Sequence, residues 1–527
     1  MILKKILCLI SALCVALCAV GCRSNTDGSS SLPSDLQIGG ATREYFSILC
    51  CYSDSFNPYT AETEINRNLS RLIFDPLLKL DNNYEPIYCL AQSVEMNGTA
   101  LTVRLKNATF TDGSAVAAAD VVYSYNLARA SGTVYATQLG TVASAVAADG
   151  MTVVFNLKRY DPYFERLLDF PILKSGSDKR TDIDDVVLPP IGSGRYYPSD
   201  DGTRLIRNDQ YFAKKSNITE IRLINSPDAA SVSHYVEVGA TDFYYTDISD
   251  GNIVRMSGKK LDINLNQLVY IGINQTYGQL NERNMRYAIA AAIDRTEICS
   301  LAFYNNAQPA TGFFPSYFKD AASVQTLEKT ANLQITVENL EKIGYNKTND
   351  AGLRINSSGN SAVYTLLVNR ENASRVAAAN LIAQQLSRAG LSIRVVAKST
   401  AEYIADLQSG NFQLYLGEIR VPANMDLSAL VMPAGGAAYG IPATSVAPDG
   451  TPIPNPIVQT VNAFYSGTAS ISDTAGVLIT EMPSVPVCYR GGLLFYDNAI
   501  GLSSGEDVSA SRSDIFLSCE DYLINKK

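Results

Sequence analysis

Side chains that commonly act in catalysis or bind metal ions are scarce in this sequence. Its only histidine is His234, so a Ser-His-Asp hydrolase and a histidine-bound nickel site would both depend on this one residue. The segment Ser231-Val-Ser-His-Tyr-Val has the spacing of a helix, which favours a structural or surface position for the imidazole. Gly192-Ser-Gly-Arg lacks the G-x-S-x-G spacing of a hydrolase nucleophile turn. We therefore expect no enzyme, no metal site and no cofactor.

The cysteine with the most informative surroundings is Cys22. The pair Lys4-Lys5 precedes an apolar run over residues 6–20, which suits a signal peptide and is short for a membrane span. The run ends in Ala19-Val-Gly-Cys22, which resembles a bacterial lipobox, and a polar stretch follows. The sequence predicts a signal peptide over 1–21, lipidation of Cys22 and a flexible tether over 22–35. The alternative is an ordinary secretory leader in which Cys22 occurs by chance.

Six later cysteines leave their redox state open. An exported compartment permits disulfides, but six cysteines allow fifteen pairings and their spacing selects none. The adjacent Cys50-Cys51 lies in an apolar run and is predicted to belong to a buried strand. The six are Cys50, Cys51, Cys89, Cys299, Cys488 and Cys519.

Composition limits the partners that the protein can have. The chain has 527 residues, which predicts two or three domains. Its formal net charge is −9, and no basic run is present, which argues against nucleic acid and against electrostatic docking on anionic lipid. Because there are 30 tyrosines and no tryptophan, aromatic side chains in a binding site are expected to be tyrosines.

Helices and strands alternate in a way that predicts an α/β protein. Residues 268–274 have the pattern of a buried strand, and the alanine-rich stretch 283–298 is predicted to be one helix. A further amphipathic helix over 375–386 precedes a strand over 391–396.

The stretch 101–127 is predicted to form a strand, a tight turn and a helix. Leu101-Thr-Val-Arg-Leu105 alternates apolar and polar residues, and Asp112-Gly113 suits a tight turn. Asp120 lies in the first turn of the helix, where a carboxylate faces the positive end of the helix dipole. Ala117 cannot cap this helix with its side chain, so the start of the helix must depend on packing and on Asp120.

Short segments in this order along the chain resemble the peptide/nickel family of solute-binding proteins that serve ABC importers. The most specific is Phe110-Thr-Asp-Gly-Ser-Ala-Val-Ala-Ala-Ala-Asp-Val-Val-Tyr-Ser124, although Ala117 stands where the family usually has Thr or Ser. The resemblance covers nearly the whole mature chain, and the other segments that carry it include 85–93, 190–196, 283–298 and 485–489.

The resemblance implies a periplasmic-binding-protein-like clamp of type II, with two α/β lobes, an extra inserted domain and mixed sheets flanked by helices. The first lobe would comprise 36–73, 186–265 and 486–527. The inserted domain would be 74–185, and the second lobe 266–485. Two crossing segments, 262–274 and 483–491, would form the hinge on which the cleft closes.

The same resemblance suggests where a ligand would bind. Peptide-binding relatives hold the ligand's ammonium group with an Asp that shortly follows a strand, which corresponds here to residues 410–420. Depending on the alignment gap, Asn424 or Asp426 takes that place, and Asn would lose the charge-assisted part of the hydrogen bond. Tyr415 and Tyr439 are expected to replace the family's tryptophans by stacking. The alternative for Asp426 is a solvated acid in a loop.

Other cleft candidates follow from position alone. Each tyrosine among them has core packing as its alternative role. Glu418 and Arg420 are two residues apart on a strand and so point to the same face, with a surface ion pair as the alternative. The candidates chosen by position are Asp54, Asn57, Tyr135, Tyr270, Asn274, Glu418, Arg420 and Tyr489.

The sequence therefore predicts a lipid-anchored extracytoplasmic receptor that captures an oligopeptide-like solute and delivers it to an ABC permease. We expect a monomer that contacts the membrane only through its lipid and binds no nucleic acid. ATP would be hydrolysed by another subunit, so no cofactor is needed. Two alternatives remain open: a non-transporting surface lipoprotein, acting as a sensor or adhesin on the same fold, and a receptor for a non-peptide solute.

Overall fold

The computed structural model describes residues 45–248, 254, 256–433, 435–446 and 451–524. The predicted signal peptide, the tether and Cys22 lie outside the described residues. Within the described ranges, no helix combines the length and the apolar character that crossing a membrane requires.

The first described segment contains one buried strand and one capped helix, β1 (Phe46–Cys50) and α1 (Glu64–Ile73). The strand is shorter than its apolar run because residues 51–60 turn instead. Helix α1 starts where the Thr63 hydroxyl accepts a hydrogen bond from the backbone N–H of Asn66, and the helix buries Leu69 and Leu72.

The next region is a small antiparallel sheet covered by a helix. The sheet order is β4-β5-β7-β6, and β2 pairs with β3 beside it. The strands are β2 (Leu78–Leu80), β3 (Pro86–Tyr88), β4 (Ala91–Asn97), β5 (Ala100–Leu105), β6 (Val142–Ala147) and β7 (Thr152–Leu157). The helices are α2 (Ala118–Ala130) and α3 (Val134–Gln138).

The predicted strand–turn–helix stretch is confirmed in this region. Leu101, Val103 and Leu105 are buried on one face of β5, which the alternation predicts. The Asp120 carboxylate accepts the Ala117 backbone N–H at 2.9 Å and also the Ser175 N–H at 2.9 Å. The carboxylate therefore stabilises the helix start in place of a capping side chain.

The chain then returns to the sheet that β1 began. The four-stranded order is β1-β10-β9-β8, in which β1 and β10 run parallel and the other pairs antiparallel. The elements of this region are β8 (Tyr196–Pro198), β9 (Arg204–Arg207), β10 (Glu220–Asn225), α4 (Ala229–Glu237) and β11 (Phe243–Thr246).

The remaining elements build the largest sheet. Its strands are β12 (Lys259–Ile273), β13 (Ala307–Pro309), β16 (Val363–Asn369), β17 (Ser392–Lys398), β18 (Leu414–Arg420) and β21 (Ser484–Tyr496), joined by β11. Two-stranded pairs are β14 (Lys347–Thr348) with β15 (Arg354–Ile355), β19 (Thr444–Val446) with β20 (Pro452–Pro454), and β22 (Ile500–Leu502) with β23 (Tyr522–Ile524).

Helices cover this sheet, and short 3₁₀ turns interrupt the connections. The helices are α5 (Arg283–Ala291), α6 (Arg295–Leu301), α7 (Leu333–Lys342), α8 (Ala373–Arg388), α9 (Thr400–Ser409), α10 (Ser428–Val431), α11 (Pro456–Tyr465) and α12 (Ile471–Glu481). The 3₁₀ turns are Leu139–Thr141, Phe164–Leu167, Ser177–Lys179, Gly278–Asn281, Lys319–Val324 and Cys519–Asp521.

The sheet order β11-β21-β12-β18-β16-β17 places two long antiparallel strands, β12 and β21, at its centre. They contain most of the two segments predicted to cross between lobes. The parallel pairing of β17 with β16 through α8 confirms the α/β unit predicted there. The lobe boundaries stay a prediction.

The single helix predicted over 283–298 is wrong. The structure has two helices, α5 and α6, because the Asp294 side chain accepts the Glu297 backbone N–H at 2.8 Å and starts a new helix. The predicted apolar stripe is nevertheless confirmed, since Met285, Ile289 and Ile293 are fully buried.

All six later cysteines are buried and free in the structure. Cys50 lies on β1 and is fully buried, which confirms the prediction of a buried strand for this residue, whereas Cys51 is buried just after the strand ends. Burial raises the pKa of the Cys50 thiol to about 12, with Cys51 and Asp54 adding to the shift, so this thiol stays protonated at neutral pH.

Candidate functional site

One cavity among the described residues is formed by segments that are far apart in the sequence. Its volume is about 690 Å³, within the range of roughly 300–1,000 Å³ that is usual for ligand pockets. One wall comes from residues 58–71, which include α1, and a second from residues 132–138, which include α3. The end of β18 at Arg420, the loop over 421–423 and residues 512–513 add further parts of the wall, together with Leu80, Tyr84 and Asp169.

Two predicted site residues, Tyr135 and Arg420, line this cavity. The buried Tyr135 hydroxyl accepts a hydrogen bond from Arg71 Nη2 at 2.7 Å, and the ring packs edge-on against Tyr59. Burial raises the pKa of Tyr135, with Arg71 opposing the shift, so the hydroxyl remains a neutral donor and acceptor. Arg420 ends β18 and is exposed, and its guanidinium group has no hydrogen bond or ion pair among the described residues.

The cavity wall carries more cations than anions. Its four arginines are Arg67, Arg71, Arg420 and Arg512, and its three carboxylates are Glu62, Glu64 and Asp169. Arg71 pairs with Asp169 at 3.5 Å, and Arg512 pairs with Glu64 at 3.3 Å. Arg67 donates to the backbone carbonyls of residues 61 and 62. The surplus positive charge therefore includes Arg420, which has no carboxylate partner in the described chain.

Glu64 shows how the wall affects a carboxyl group. Burial raises the pKa of Glu64, while the neighbouring guanidinium groups of Arg512 and Arg420 oppose this rise. Arg420 therefore lies within electrostatic reach of the Arg512–Glu64 pair. A ligand carboxylate in the cavity would thus meet guanidinium groups on more than one wall.

Asn424 and Asp426 do not line this cavity, and both contact the region of the small antiparallel sheet. The Asp426 carboxylate forms an ion pair with Arg159, whose guanidinium also lies 3.4 Å from the centre of the Tyr465 ring. The Asn424 side chain donates to Asp161 Oδ2 at 2.6 Å. The structure therefore gives the Asp426 carboxylate a cation from within the chain.

The Asp161 carboxyl group is buried in this contact. Burial raises the pKa of Asp161 to about 6. Asp426 adds to the increase, and the hydrogen bonds from Asn424 and from the Tyr163 backbone N–H oppose it. The carboxyl group is accordingly sensitive to pH in the mildly acidic range.

Tyr270, Tyr415 and Tyr439 form a packed cluster outside the cavity wall. Tyr415 packs edge-on against Tyr270 at 5.7 Å and against Tyr439 at 6.1 Å, and its hydroxyl donates to the Ala437 carbonyl. A Cβ atom on Gly272 would lie 1.9 Å from the Tyr415 ring, so only glycine leaves room for the ring there. Tyr270 therefore packs in the core, which was the alternative stated for it, and Tyr415 packs in the same cluster.

Asp54, Asn57 and Asn274 hold loops in place. Burial raises the pKa of Asp54, but hydrogen bonds from Thr63, Glu62 and Ser55 outweigh this and leave the pKa below its ordinary value. Asn57 Oδ1 accepts the Tyr59 backbone N–H, which orders the loop that enters the cavity wall. Asn274 donates to the carbonyl of residue 412 at 2.9 Å.

Glu418 and Tyr489 also have partners inside the protein. Glu418 Oε1 accepts hydrogen bonds from Arg490 Nε at 2.8 Å and Nη2 at 2.7 Å, so its ion-pair partner is Arg490 instead of Arg420. The Tyr489 hydroxyl donates to the Phe313 carbonyl at 2.6 Å. His234 is exposed on α4, in agreement with its helical spacing.

The cavity residues that sequence reasoning missed include Arg71, Gln138, Asp169 and Arg512. They come from segments between about thirty and several hundred positions apart, and no local spacing connects them. Of these residues, only Arg71 lies in a segment with a recognisable pattern, since it immediately precedes the apolar run that ends before Asp75.

Comparisons with known proteins show a family for this chain. Residues 85–438 match the family described as "Bacterial extracellular solute-binding proteins, family 5 Middle". The chain is 23% identical over 402 residues to the oligopeptide-binding protein AppA of Bacillus subtilis, which covers 72% of this chain and 70% of AppA.

Solved structures share the fold at low sequence identity. The ABC transporter substrate-binding protein CtaP of Listeria monocytogenes superposes with a TM-score of 0.67 at 18% identity, covering 93% of this chain and 100% of CtaP. A nickel ABC transporter structure from Bacillus halodurans gives a TM-score of 0.71 at 18% identity, covering 91% of this chain and 99% of that one.

Proposed function

The chain belongs to family 5 of the bacterial extracellular solute-binding proteins, and from this premise we propose that it is the lipid-anchored receptor of an ABC importer. It captures an oligopeptide-like solute in the cavity walled by α1, α3 and the loop after β18. It then delivers the solute to the permease.

Family membership confirms part of what the sequence predicted. The family was identified correctly, the α/β fold is that of periplasmic solute-binding proteins, and the family and the structural neighbours are substrate-binding proteins rather than enzymes. The family is also extracellular, which agrees with an extracytoplasmic location.

The observation that best supports a peptide-like ligand is Arg420, which lies in the wall of a cavity of about 690 Å³ and whose guanidinium group has no ion-pair partner among the described residues. A guanidinium group binds a carboxylate through two parallel hydrogen bonds, and every unmodified peptide ends in a carboxylate. AppA of Bacillus subtilis, similar over most of this chain, is an oligopeptide-binding protein by name. Glu62, exposed on the same wall, offers an opposite charge for the cationic part of such a ligand.

Closure on the ligand is proposed to use the predicted lobes. The first lobe would be 36–73, 186–265 and 486–527, and the second 266–485, with 74–185 inserted. Strands β12 and β21 then contain the segments that connect the lobes. Ligand contacts on both sides of the cavity would favour the closed state, because a ligand shifts an equilibrium only through its different affinity for the two states.

Anchoring at Cys22 is proposed from the lipobox-like segment that precedes it. One lipid-modified residue after a removed signal peptide would tether a receptor beside its permease without a membrane-spanning helix. Replacing Cys22 with Ser should move the protein from the membrane fraction to the soluble fraction of cells. An unchanged membrane fraction would contradict lipidation at this residue.

Native mass spectrometry of the protein without residues 1–22 tests the ligand class. We expect a ladder of bound masses that match short peptides and that vanish on mild unfolding. A single non-peptide mass would change the substrate and keep the receptor. A protein that is empty and that also ignores peptide and metal pools in thermal-shift screens would favour a non-transporting lipoprotein.

A further inference from the structure

One edge of the small antiparallel sheet is open to solvent, and we infer that it pairs with the same edge of a second copy of this chain. The edge strand is β6 (Val142–Ala147), which in the described chain pairs with β7 on one side only. None of its residues lines the cavity described above. The inference is therefore independent of the proposed ligand, and it replaces the monomer expected from the sequence with a weak dimer.

Strand β6 lacks most of the features that usually protect a free edge. Its sequence, Val142-Ala-Ser-Ala-Val-Ala147, contains no charged residue and no proline, and Val146 is 50% exposed. Natural proteins place lysine, proline or bulges on such edges, because an unpaired row of backbone N–H and C=O groups binds other strands. The pairing with β7 has a bulge between Val142 and Ser144 but is regular from Ser144 to Ala147.

The direction of the backbone groups of β6 follows from its pairing with β7. The Ala148 N–H donates to the Thr152 carbonyl at 2.8 Å, and the two strands keep the same register back to Ser144. Hydrogen-bonded and non-hydrogen-bonded residues alternate along an antiparallel pair. Ala145 and Ala147 therefore direct their N–H and C=O groups away from β7, towards the free edge.

A second copy fits this edge when a twofold axis passes beside Ala145. Antiparallel pairing then places Ala145 opposite Ala145 of the second copy and Ala147 opposite Ala143, so the outward backbone groups of one strand meet those of the other. Ser144 lies opposite Val146, and both side chains are exposed in the single chain. No bulky or like-charged side chains are opposed in this arrangement, which favours close pairing.

The charges at the two ends of β6 are opposite in sign. Asp149 lies just after the strand and is exposed. At the other end, the exposed Lys158 donates through its ammonium group to the Gly140 carbonyl at 2.9 Å and has no carboxylate partner among the described residues. Antiparallel pairing about Ala145 brings Asp149 beside the Gly140 end of the second copy, where that copy's Lys158 lies. The edge therefore carries the two charges that an antiparallel copy of itself requires.

Sedimentation velocity of the protein without residues 1–22 tests the association. One strand pair buries less surface than the roughly 1,200–2,000 Å² of a stable interface, so we expect monomer to convert to dimer between about 1 and 300 µM. Val146→Lys adds a charge to the edge and should raise the dissociation constant about tenfold or more. Val363→Lys is the matched control, because Val363 is 54% exposed on β16, which lies inside the large sheet. This control should associate like the wild type.

Disulfide cross-linking with oxidised glutathione tests the register. Ala145→Cys places a thiol opposite its own copy, with Cα atoms about 5.5 Å apart, a separation that a disulfide spans. The six later cysteines are buried and should not compete. Ala148→Cys is the control, because this exposed position lies about 20 Å from its own copy in the proposed register. We expect a covalent dimer from Ala145→Cys and monomer from Ala148→Cys.

Each result decides on the pairing. A wild type that stays monomeric over the whole concentration range would overturn it and leave the edge to a strand of another protein. A dimer that persists in folded Val146→Lys would place the interface elsewhere. Thermal unfolding checks that fold, and cross-linking at Ala145 carries the test if Val146→Lys does not fold. Equal cross-linking of Ala145→Cys and Ala148→Cys would contradict the twofold register.

Discussion

Arg420 is the side chain whose loss should change ligand binding with the least effect on folding. Replacing it with Met keeps the aliphatic stem and removes the guanidinium group, which has no partner among the described residues. A charge-assisted hydrogen bond to a ligand carboxylate contributes about 1.5–3 kcal/mol, so affinity measured by calorimetry with a co-purified peptide should fall roughly 10- to 100-fold. The melting temperature should not change.

A matched control is available on another strand. Arg394 is exposed on β17 and lies outside the cavity, so Arg394→Met should leave affinity unchanged. If Arg420→Met binds as tightly as Arg394→Met, the ligand's carboxylate does not contact Arg420.

Asp161 should make stability depend on pH. Burial raises its pKa in the folded protein from 3.8 to about 6, so its neutral form is favoured by folding. This contribution to stability is fully present below about pH 4 and is lost as the pH rises through about 6. The shift corresponds to ~3 kcal/mol, an upper value because the charges of Asp426 and Arg159 also interact with Asp161.

Denaturant unfolding at pH 4.5 and pH 7.5 measures this contribution. Asp161→Asn removes the titrating group, so the variant should lose less stability than the wild type between these two values. Parallel pH profiles for the two proteins would show that Asp161 ionises normally in the folded state.

The start of α2 is an element whose stability can be improved. Ala117 has extended backbone angles, φ −126° and ψ 162°, and makes no side-chain capping bond. A serine hydroxyl there would accept a backbone N–H of the first turn, so Ala117→Ser should stabilise the protein by ~0.5–1 kcal/mol in urea unfolding.

The neighbouring Ala119 provides the comparison for this cap. It is exposed inside the first turn of α2, where serine has a lower helix propensity than alanine. Ala119→Ser should therefore be neutral or slightly destabilising. Equal stability changes for Ala117→Ser and Ala119→Ser would mean that the Asp120 carboxylate already satisfies the helix start.

At the level of elements, local patterns were sufficient for much of the fold. Period-two alternation identified β5, and the apolar stripe of 283–298 identified the buried face of α5 and α6. The break between those helices was missed because Asp294 competes for the backbone by capping the second helix, and a capping residue inside a strong helical pattern is easily overlooked. The family's segment order supplied the rest of the architecture.

The candidate site was harder to predict, for a physical reason. Tyr135 and Arg420 line the cavity, but Asp426 and Arg159 are 267 positions apart and form an ion pair that no local pattern contains. Arg71, Asp169 and Gln138 meet only through tertiary packing. The strand pattern placed Arg420 at the end of a strand. The ion-pair partners of the charged side chains could not be predicted, because they come from distant parts of the chain.

On the scale of the whole molecule, a group of contacts joins residues 159–163 to the predicted second lobe, and we name it the latch. It comprises the Arg159–Asp426 ion pair, the hydrogen bond from Asn424 to Asp161 and the hydrogen bond from the Tyr163 hydroxyl to Asp320 at 2.7 Å. None of these side chains lines the large cavity. The latch should therefore affect ligand binding only through closure.

Arg159→Met should weaken the latch and favour more open conformations. The ion pair is partly exposed, with side chains 30% and 19% accessible. Its loss should therefore reduce the free energy that favours the closed state by about 1 kcal/mol. Apparent affinity falls by the fraction of molecules that are closed, which predicts a loss of roughly fivefold. Small-angle X-ray scattering of the ligand-free variant should give a larger radius of gyration than that of the wild type.

A control variant should break an ion pair that lies within one predicted lobe. Lys214→Met breaks the exposed pair with Asp521, both within segments predicted to belong to the first lobe, and should leave radius and affinity unchanged. Saturating ligand should return Arg159→Met to the wild-type radius of gyration, because ligand contacts stabilise the closed state without the latch. If the radius and affinity of Arg159→Met match those of Lys214→Met, these contacts do not control closure, and the clamp closes through the ligand alone.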